Sequence, residues 1–198
     1  FHRTMNDAKK AEWIFFHLHC KTVGYHNDMY PPSAQGQARE VPVQDQVDEY
    51  EVIGPDGYGY PIYALKQNHK ALYGSLISEE DMAKAYDDGN PYVNRDPRFY
   101  RDIIYHGSMF KGKWINTATG ADAINAANST STGYFTRKYF DGYYTKGMSG
   151  NWNFDAPLIR LATIYLVYAE AVTRSKGATP EVYNLMNELR ARSFMAPI

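Results

Sequence analysis

Residues 155–196 read DAPLIRLATIYLVYAEAVTRSKGATPEVYNLMNELRARSFMA, a stretch whose apolar spacing, breakers and caps agree with one another. From Leu158 onward, Leu158, Leu161, Ala162, Tyr165, Tyr168, Ala169 and Val172 follow the i, i+3, i+4, i+7 spacing of one helix face. The spacing predicts a helix of about five turns. Ile164, Leu166 and Val167 fall off that face, so the helix is expected to be buried against two layers. Pro157 at its start loses no hydrogen bond, Asp155 favours the positive end of the helix dipole, and Gly177 supplies a left-handed stop. Thr179-Pro180 then reads as an N-cap followed by proline at the first helical position, with Val182, Leu185, Met186 and Leu189 forming the next apolar face. Because the connection 175–178 is short, the two helices are expected to be antiparallel neighbours. Glu170 with Arg174, and Glu188 with Arg192, are spaced as i, i+4 ion pairs.

Working outward, Pro157-Leu158-Ile159-Arg160-Leu161-Ala162, Tyr165-Leu166, Tyr168-Ala169-Glu170-Ala171 and Met186-Asn187-Glu188-Leu189-Arg190-Ala191-Arg192 together resemble the helical signature of the SusD/RagB family. Three upstream stretches resemble it too, in the right order: Pro42-Val43-Gln44 with Val47-Asp48-Glu49-Tyr50; Asn94-Arg95-Asp96-Pro97-Arg98-Phe99-Tyr100 leading to Ile104-Tyr105-His106-Gly107; and Gly133-Tyr134-Phe135-Thr136-Arg137-Lys138-Tyr139. Phe194 stands where the family commonly has glycine after the Arg-x-Arg. The resemblance implies a mainly helical α+β architecture: a tetratricopeptide-type helical hairpin joined to an irregular, loop-rich part with short strands. It also implies a non-catalytic, glycan-binding lipoprotein of the outer-membrane surface, partnered by a SusC-like TonB-dependent transporter and anchored by a lipid outside this sequence. The family's signal peptide, lipid-bearing cysteine and large helical N-terminal half are not visible here. Residues 1–198 are therefore expected to form a single domain that is an internal or C-terminal-half fragment of a longer protein.

The totals agree with a globular chain: 198 residues, 44% hydrophobic and 22% charged. A net charge of −1 with scattered Lys and Arg disfavours nucleic acid as a partner. The single Cys20 rules out an internal disulfide framework, and no apolar run is long enough to span a membrane. Tyrosine, at 18 residues, is the outlying number; its flat apolar ring and hydroxyl suit both core rims and recognition surfaces.

Along the chain, the run Trp13 to Cys20 predicts a strand buried on both faces; His17 and His19 share one side of it, without a third metal ligand nearby in sequence. Lys21 to Glu40 lacks any apolar period and reads as a long loop. In it, Tyr25 and Tyr30 could stack on sugar rings while Asn27 and Asp28 bond to hydroxyls. Val41 to Ile53 is helix-compatible, Pro55-Asp56-Gly57 is a turn, and Tyr58 to Tyr63 is an edge strand at best. Ser78-Glu79-Glu80-Asp81 resembles a capping box and starts a short helix. The oxygen-rich Asp87 to Asp96 stretch lacks EF-hand spacing and reads as a solvated turn, and Arg95, Asp96 and Arg98 as a structural clamp. Phe99 to Tyr105 reads as a strand, Gly107 to Ser131 as irregular and exposed, and Tyr134 to Tyr144 as an extended segment packed on the helical pair. Trp114, isolated in polar sequence, is the best aromatic-platform candidate; Trp152 is weaker because it lies close to the core helix.

No nucleophile elbow, phosphate loop, His-Glu-x-x-His, paired-Cys motif or dinucleotide fingerprint is present, so no catalytic residue, metal or cofactor is expected. Two alternatives remain open: a helical-repeat interaction scaffold, and a glycoside hydrolase drawing on Asp48, Glu51, Asp56 or Asp155. The expected ligand-binding set is Tyr25, Asn27, Asp28, Tyr30 and Trp114.

Overall fold

The computed structural model describes residues 12–21, 25–63, 78–138 and 153–198. In chain order its elements are β1 (Trp13–Lys21), α1 (Tyr25–Met29), a 3-10 turn (Pro32–Ala34), α2 (Gln44–Asp48), β2 (Val52–Ile53), β3 (Gly59–Tyr60), α3 (Glu79–Ala85) and α4 (Pro97–Asp102). There follow β4 (Ile103–Ile104), β5 (Met109–Phe110), β6 (Lys113–Trp114), β7 (Phe135–Thr136), β8 (Asn153–Arg160), α5 (Leu161–Lys176) and α6 (Pro180–Ala191). The strands form four antiparallel pairs, β1 with β8, β2 with β3, β4 with β7 and β5 with β6. The architecture is α+β and mainly helical, as expected.

The α5–α6 hairpin forms with the capping read for its connection, whereas Asp155 and Pro157, read as the start of its first helix, lie in β8. Gly177 ends α5 at φ 82, its N–H donating to Thr173 O at 2.9 Å, and the Thr179 hydroxyl accepts from Val182 N at 3.4 Å. Glu170 pairs with Arg174 at 2.7 Å, and the Tyr168 hydroxyl reaches across to Glu181 at 3.1 Å. Three details depart from expectation. The helix starts at Leu161 and not Leu158, because residues 153–160 satisfy their backbone by pairing with β1; Pro157 faces Phe16 where the register slips. Arg192 bonds Glu12, just ahead of β1, in place of Glu188. The double burial does not occur: Ala162 and Ala169 are buried, but Ile164, Leu166 and Val167 are exposed, Val167 by 60%. Among the described elements α5 packs on α6 and β8, which cover one side of it. Ile14 and Phe15 are exposed for the same reason, since β1 pairs with β8 alone among the described strands.

The loop-rich part is built on a short run that the sequence analysis read as a turn before a strand. Asp96 is an N-cap whose carboxylate accepts from Arg98 N at 2.7 Å, Pro97 sits at the first helical position, and residues 97–102 are helix. Only Ile103–Ile104 are strand. Asp96 also receives the Arg98 guanidinium, and hydrogen bonding to that carboxylate raises the Arg98 pKa. Arg95, 2% exposed, donates to Pro91 O at 3.0 Å, Val47 O at 2.5 Å and Tyr50 O at 3.0 Å, and lies 4.6 Å from the Phe99 ring centroid. Burial lowers its pKa, yet arginine keeps its charge there because its ordinary value is so high.

Successive strand residues project to opposite faces, so β4 and the stretch entering β7 serve two clusters at once. Ile103 and Tyr134 join Val47 and Phe99, rimmed by Tyr50, Tyr92, Tyr100 and Tyr105. Ile104 and Phe135 join Met29, Tyr30, Ala38, Phe110 and Ile115. The described part of the 134–144 segment thus pairs with β4 instead of packing on the helical pair; residues 139–144 and Trp152 lie outside the described residues. Many tyrosines are rim residues: burial, then Asp102, pushes the Tyr50 phenol above its usual range, and burial with Tyr134 does the same for Tyr92. The turn at 54–57, with Gly57 at φ 83, and the Ser78–Asp81 cap form as read.

Arg190 ties the hairpin to this body, bonding Glu51 at 2.9 Å and Ala196 O at 2.6 Å. Gly59 passes beneath that link, where a Cβ would stand 2.0 Å from Glu51 Oε2. Beyond α6 the chain closes with Phe194 N donating to Ala191 O at 3.0 Å and Met195 N to Arg190 O at 3.1 Å. Phe194 there has φ 60 and is 87% exposed, a conformation that suits glycine. Phe194→Gly is expected to stabilise the chain by about 1 kcal/mol, seen as a melting temperature raised by roughly 2–4 °C; an unchanged or lower value would contradict the strain. Arg95→Ala is expected to cost about 3 kcal/mol, because three carbonyls lose a charged donor and the buried guanidinium leaves a gap beside Phe99. Urea unfolding reads this as a lower midpoint, and a loss below about 1 kcal/mol would show that Arg95 is dispensable.

Candidate functional site

The most exposed described tryptophan sits on a braced hairpin. Lys111 and Gly112 have φ 48 and 75, the pair of positive values that a two-residue turn needs to match strand twist. Met109 then faces Trp114, and Phe110 faces Lys113. The ladder continues past the strands through Gly107 N to Ile115 O at 2.8 Å and Ile115 N to Ser108 O at 2.9 Å. At its base the buried Ser108 hydroxyl donates to Tyr105 O at 2.7 Å, and Thr117 N donates to His106 Nδ1 at 3.2 Å.

Alternation sorts the side chains. Phe110 is fully buried and meets the Tyr30 ring edge-on, with centroids 5.0 Å apart, so the Phe110–Lys113 side faces the body. Trp114, 69% exposed, and Met109 lie on the opposite, outer side. Lys113 Nζ donates to Ser33 O at 2.7 Å, and Lys111 Nζ stands 4.7 Å from the Tyr30 ring centroid. Ser33 N in turn donates to the buried Asp122 carboxylate at 2.8 Å. These contacts fasten the Trp114 hairpin to the 30–34 turn.

The 21–40 stretch is therefore more ordered than its composition suggested, holding α1 and a 3-10 turn. Gly36 lets it close: a Cβ there would fall 1.9 Å from Tyr30 O. Tyr30, expected at the surface, is 1% exposed and belongs to the core, because its ring fills the space under Phe110. Asn27 and Asp28 are half-buried on α1; their carbonyls accept from Gln37 N at 2.6 Å and Glu40 N at 3.0 Å, and the Asp28 carboxylate lies 3.4 Å from Arg39. The side chains of Tyr25, His17 and His19 lie outside the described part. Of the expected set, the fold thus puts Trp114 outward and Tyr30 inward, with Asn27 and Asp28 on a neighbouring strap. The Met109 partner of Trp114 was missed; Lys111-Gly112 between apolar residues was the signal that could have found it.

Among the carboxylates considered for hydrolysis, Glu51 pairs with Arg190, Asp56 accepts from the Tyr60 hydroxyl at 2.6 Å and Tyr58 N at 3.0 Å, and Asp48 accepts from Gln44 at 2.7 Å. The side chain of Asp155 lies outside the described part. Among the described residues no three His, Cys, Asp or Glu side chains converge on a metal position. No described helix is long and apolar enough to cross a membrane.

The SusD family profile matches residues 12–198. A SusD-like carbohydrate binding protein from Bacteroides fragilis is similar in structure, with TM-score 0.69 and 23% identity over 94% of this chain and 35% of that one. A second SusD-like protein from Bacteroides fragilis gives TM-score 0.58 and 25% identity over 94% of this chain and 37% of that one. The chain spans about a third of the length of these two structures, at 35% and 37%. A search of curated proteins finds no match. With the family profile running through the Arg95–Asp96 clamp, the Trp114 hairpin and the helical pair, the chain belongs to the SusD family.

Proposed function

We propose that this chain is a single domain carrying part of a non-catalytic glycan-binding surface. In this reading the whole protein sits on the bacterial outer membrane, held by a lipid outside this sequence, and passes oligosaccharide to a SusC-like TonB-dependent transporter. Membership of the SusD family supports it, as does likeness to a protein described as SusD-like and carbohydrate binding. The observation that carries it is Trp114, held outward on a hairpin whose inner side is anchored in the core. An indole face offers an apolar plane to the C–H face of a sugar, and little conformational entropy is lost because the hairpin is already ordered. Asn27 and Asp28 are the polar groups proposed to fix orientation, with Tyr25 beside them in sequence. Glu51, Asp56 and Asp48 are each bonded to a neighbouring side chain, which disfavours a hydrolytic pair.

One observation favours the helical-scaffold reading: the exposed Ile164, Leu166 and Val167 give α5 an apolar outer face that suits a protein contact. A pull-down yielding only polypeptide partners, independent of added saccharide, would put that reading first.

Electrophoresis of the chain through gels containing a panel of polysaccharides tests the proposal. Retardation by at least one polysaccharide is expected, without release of reducing ends. Trp114→Ala is expected to weaken that binding by about 2 kcal/mol, roughly 30-fold. Reducing ends appearing with the wild-type chain, or a panel with no retardation at all, would contradict it.

A further inference from the structure

The hairpin tip reads Phe110-Lys111-Gly112-Lys113-Trp114, which in sequence is a tryptophan beside two cations and so a natural receiver of acidic sugars. The structure sorts these groups differently. Lys113 is the register partner of Phe110, on the side turned to the body, and its ammonium donates to Ser33 O at 2.7 Å. Lys111 lies against the Tyr30 ring, also on the inner side. The outer side holds Trp114 and its cross-strand partner Met109. That side therefore offers an indole plane and a thioether.

Such a surface discriminates by charge. The face of an aromatic ring carries the negative lobe of its quadrupole, which attracts C–H bonds polarised by ring oxygens and repels carboxylate or sulfate. The thioether is polarizable but provides no donor to an anion.

Resting on the glycan-binding reading above, we infer that the Trp114–Met109 face receives an uncharged pyranose unit and that the two lysines of the tip brace the hairpin without recruiting an acidic sugar. The preference lies in which side of the ladder each residue occupies, a property invisible in the order Lys-Gly-Lys-Trp.

The test is a glycan array carrying neutral, uronate-containing and sulfated oligosaccharides, read with the full chain and with Trp114→Ala at 20 and 300 mM NaCl (about these values, chosen to span the Debye length from wide to narrow). The expected result is binding to neutral glycans that falls at least about 10-fold in Trp114→Ala and changes less than about 2-fold with salt. Trp114-dependent binding to uronate or sulfated glycans that collapses at high salt would overturn the inference and leave glycan binding standing. Binding to neutral glycans that Trp114→Ala leaves unchanged would also overturn it. An array with no bound glycan would instead sink the glycan-binding reading, and this inference with it.

Discussion

The loop-rich part of this chain depends on one buried cation. The backbone around residues 47, 50 and 91 lacks long helices or wide sheets, and the Arg95 guanidinium gathers the carbonyls of Val47, Tyr50 and Pro91 onto a single side chain. Lysine could not do this, since its point-like ammonium does not fan out to carbonyls on separate segments. The same residue contributes its backbone N–H to the Tyr100 hydroxyl and its charge to the face of Phe99, so polar and aromatic packing are fixed together. Next to it, Asp96 starts α4, and α4 delivers Ile103 and Ile104 to opposite clusters.

From there a chain of contacts reaches the surface. Ile104 packs with Phe110 and Ile115, which flank the hairpin turn on its inner side, and Tyr30 closes beneath them. The exposed indole of Trp114 is thus on the opposite side of the hairpin from this core. An exposed aromatic on a loose loop would lose much of its contact energy in being ordered; one on a pinned hairpin does not. The helical pair is joined to this body through Arg190 with Glu51, a half-buried pair near the close approach of Gly59.

What could be read from residues alone followed local chemistry. Thr179-Pro180, Gly177, the Ser78 cap and the Gly57 turn each carry their own mechanism, and each formed. Family likeness was legible because it rested on several short motifs in order. The misreadings came from long-range effects. Asp96-Pro97 had the makings of a helix start, but the apolar run behind it suggested a strand. Pro157 fits a helix start equally well, and only its pairing with Phe16 places it in a strand. Tyr30 looked like a surface ring because its neighbours are polar; its position under Phe110, far along the sequence, decided otherwise. The double burial expected of α5 did not occur, because the described elements cover one side of it and leave Ile164, Leu166 and Val167 exposed.

The central claim is that a core pinned by Arg95 holds Trp114 outward as a ready-made sugar platform. The chain has three tryptophans, so the indole N–H resonances in a two-dimensional NMR spectrum can be assigned by replacing each with phenylalanine in turn. On titration with a bound oligosaccharide, the Trp114 indole signal is expected to shift progressively while the backbone signals of residues 107–117 keep their dispersion. A Trp114 signal that stays in place while other regions of the chain shift would contradict the account.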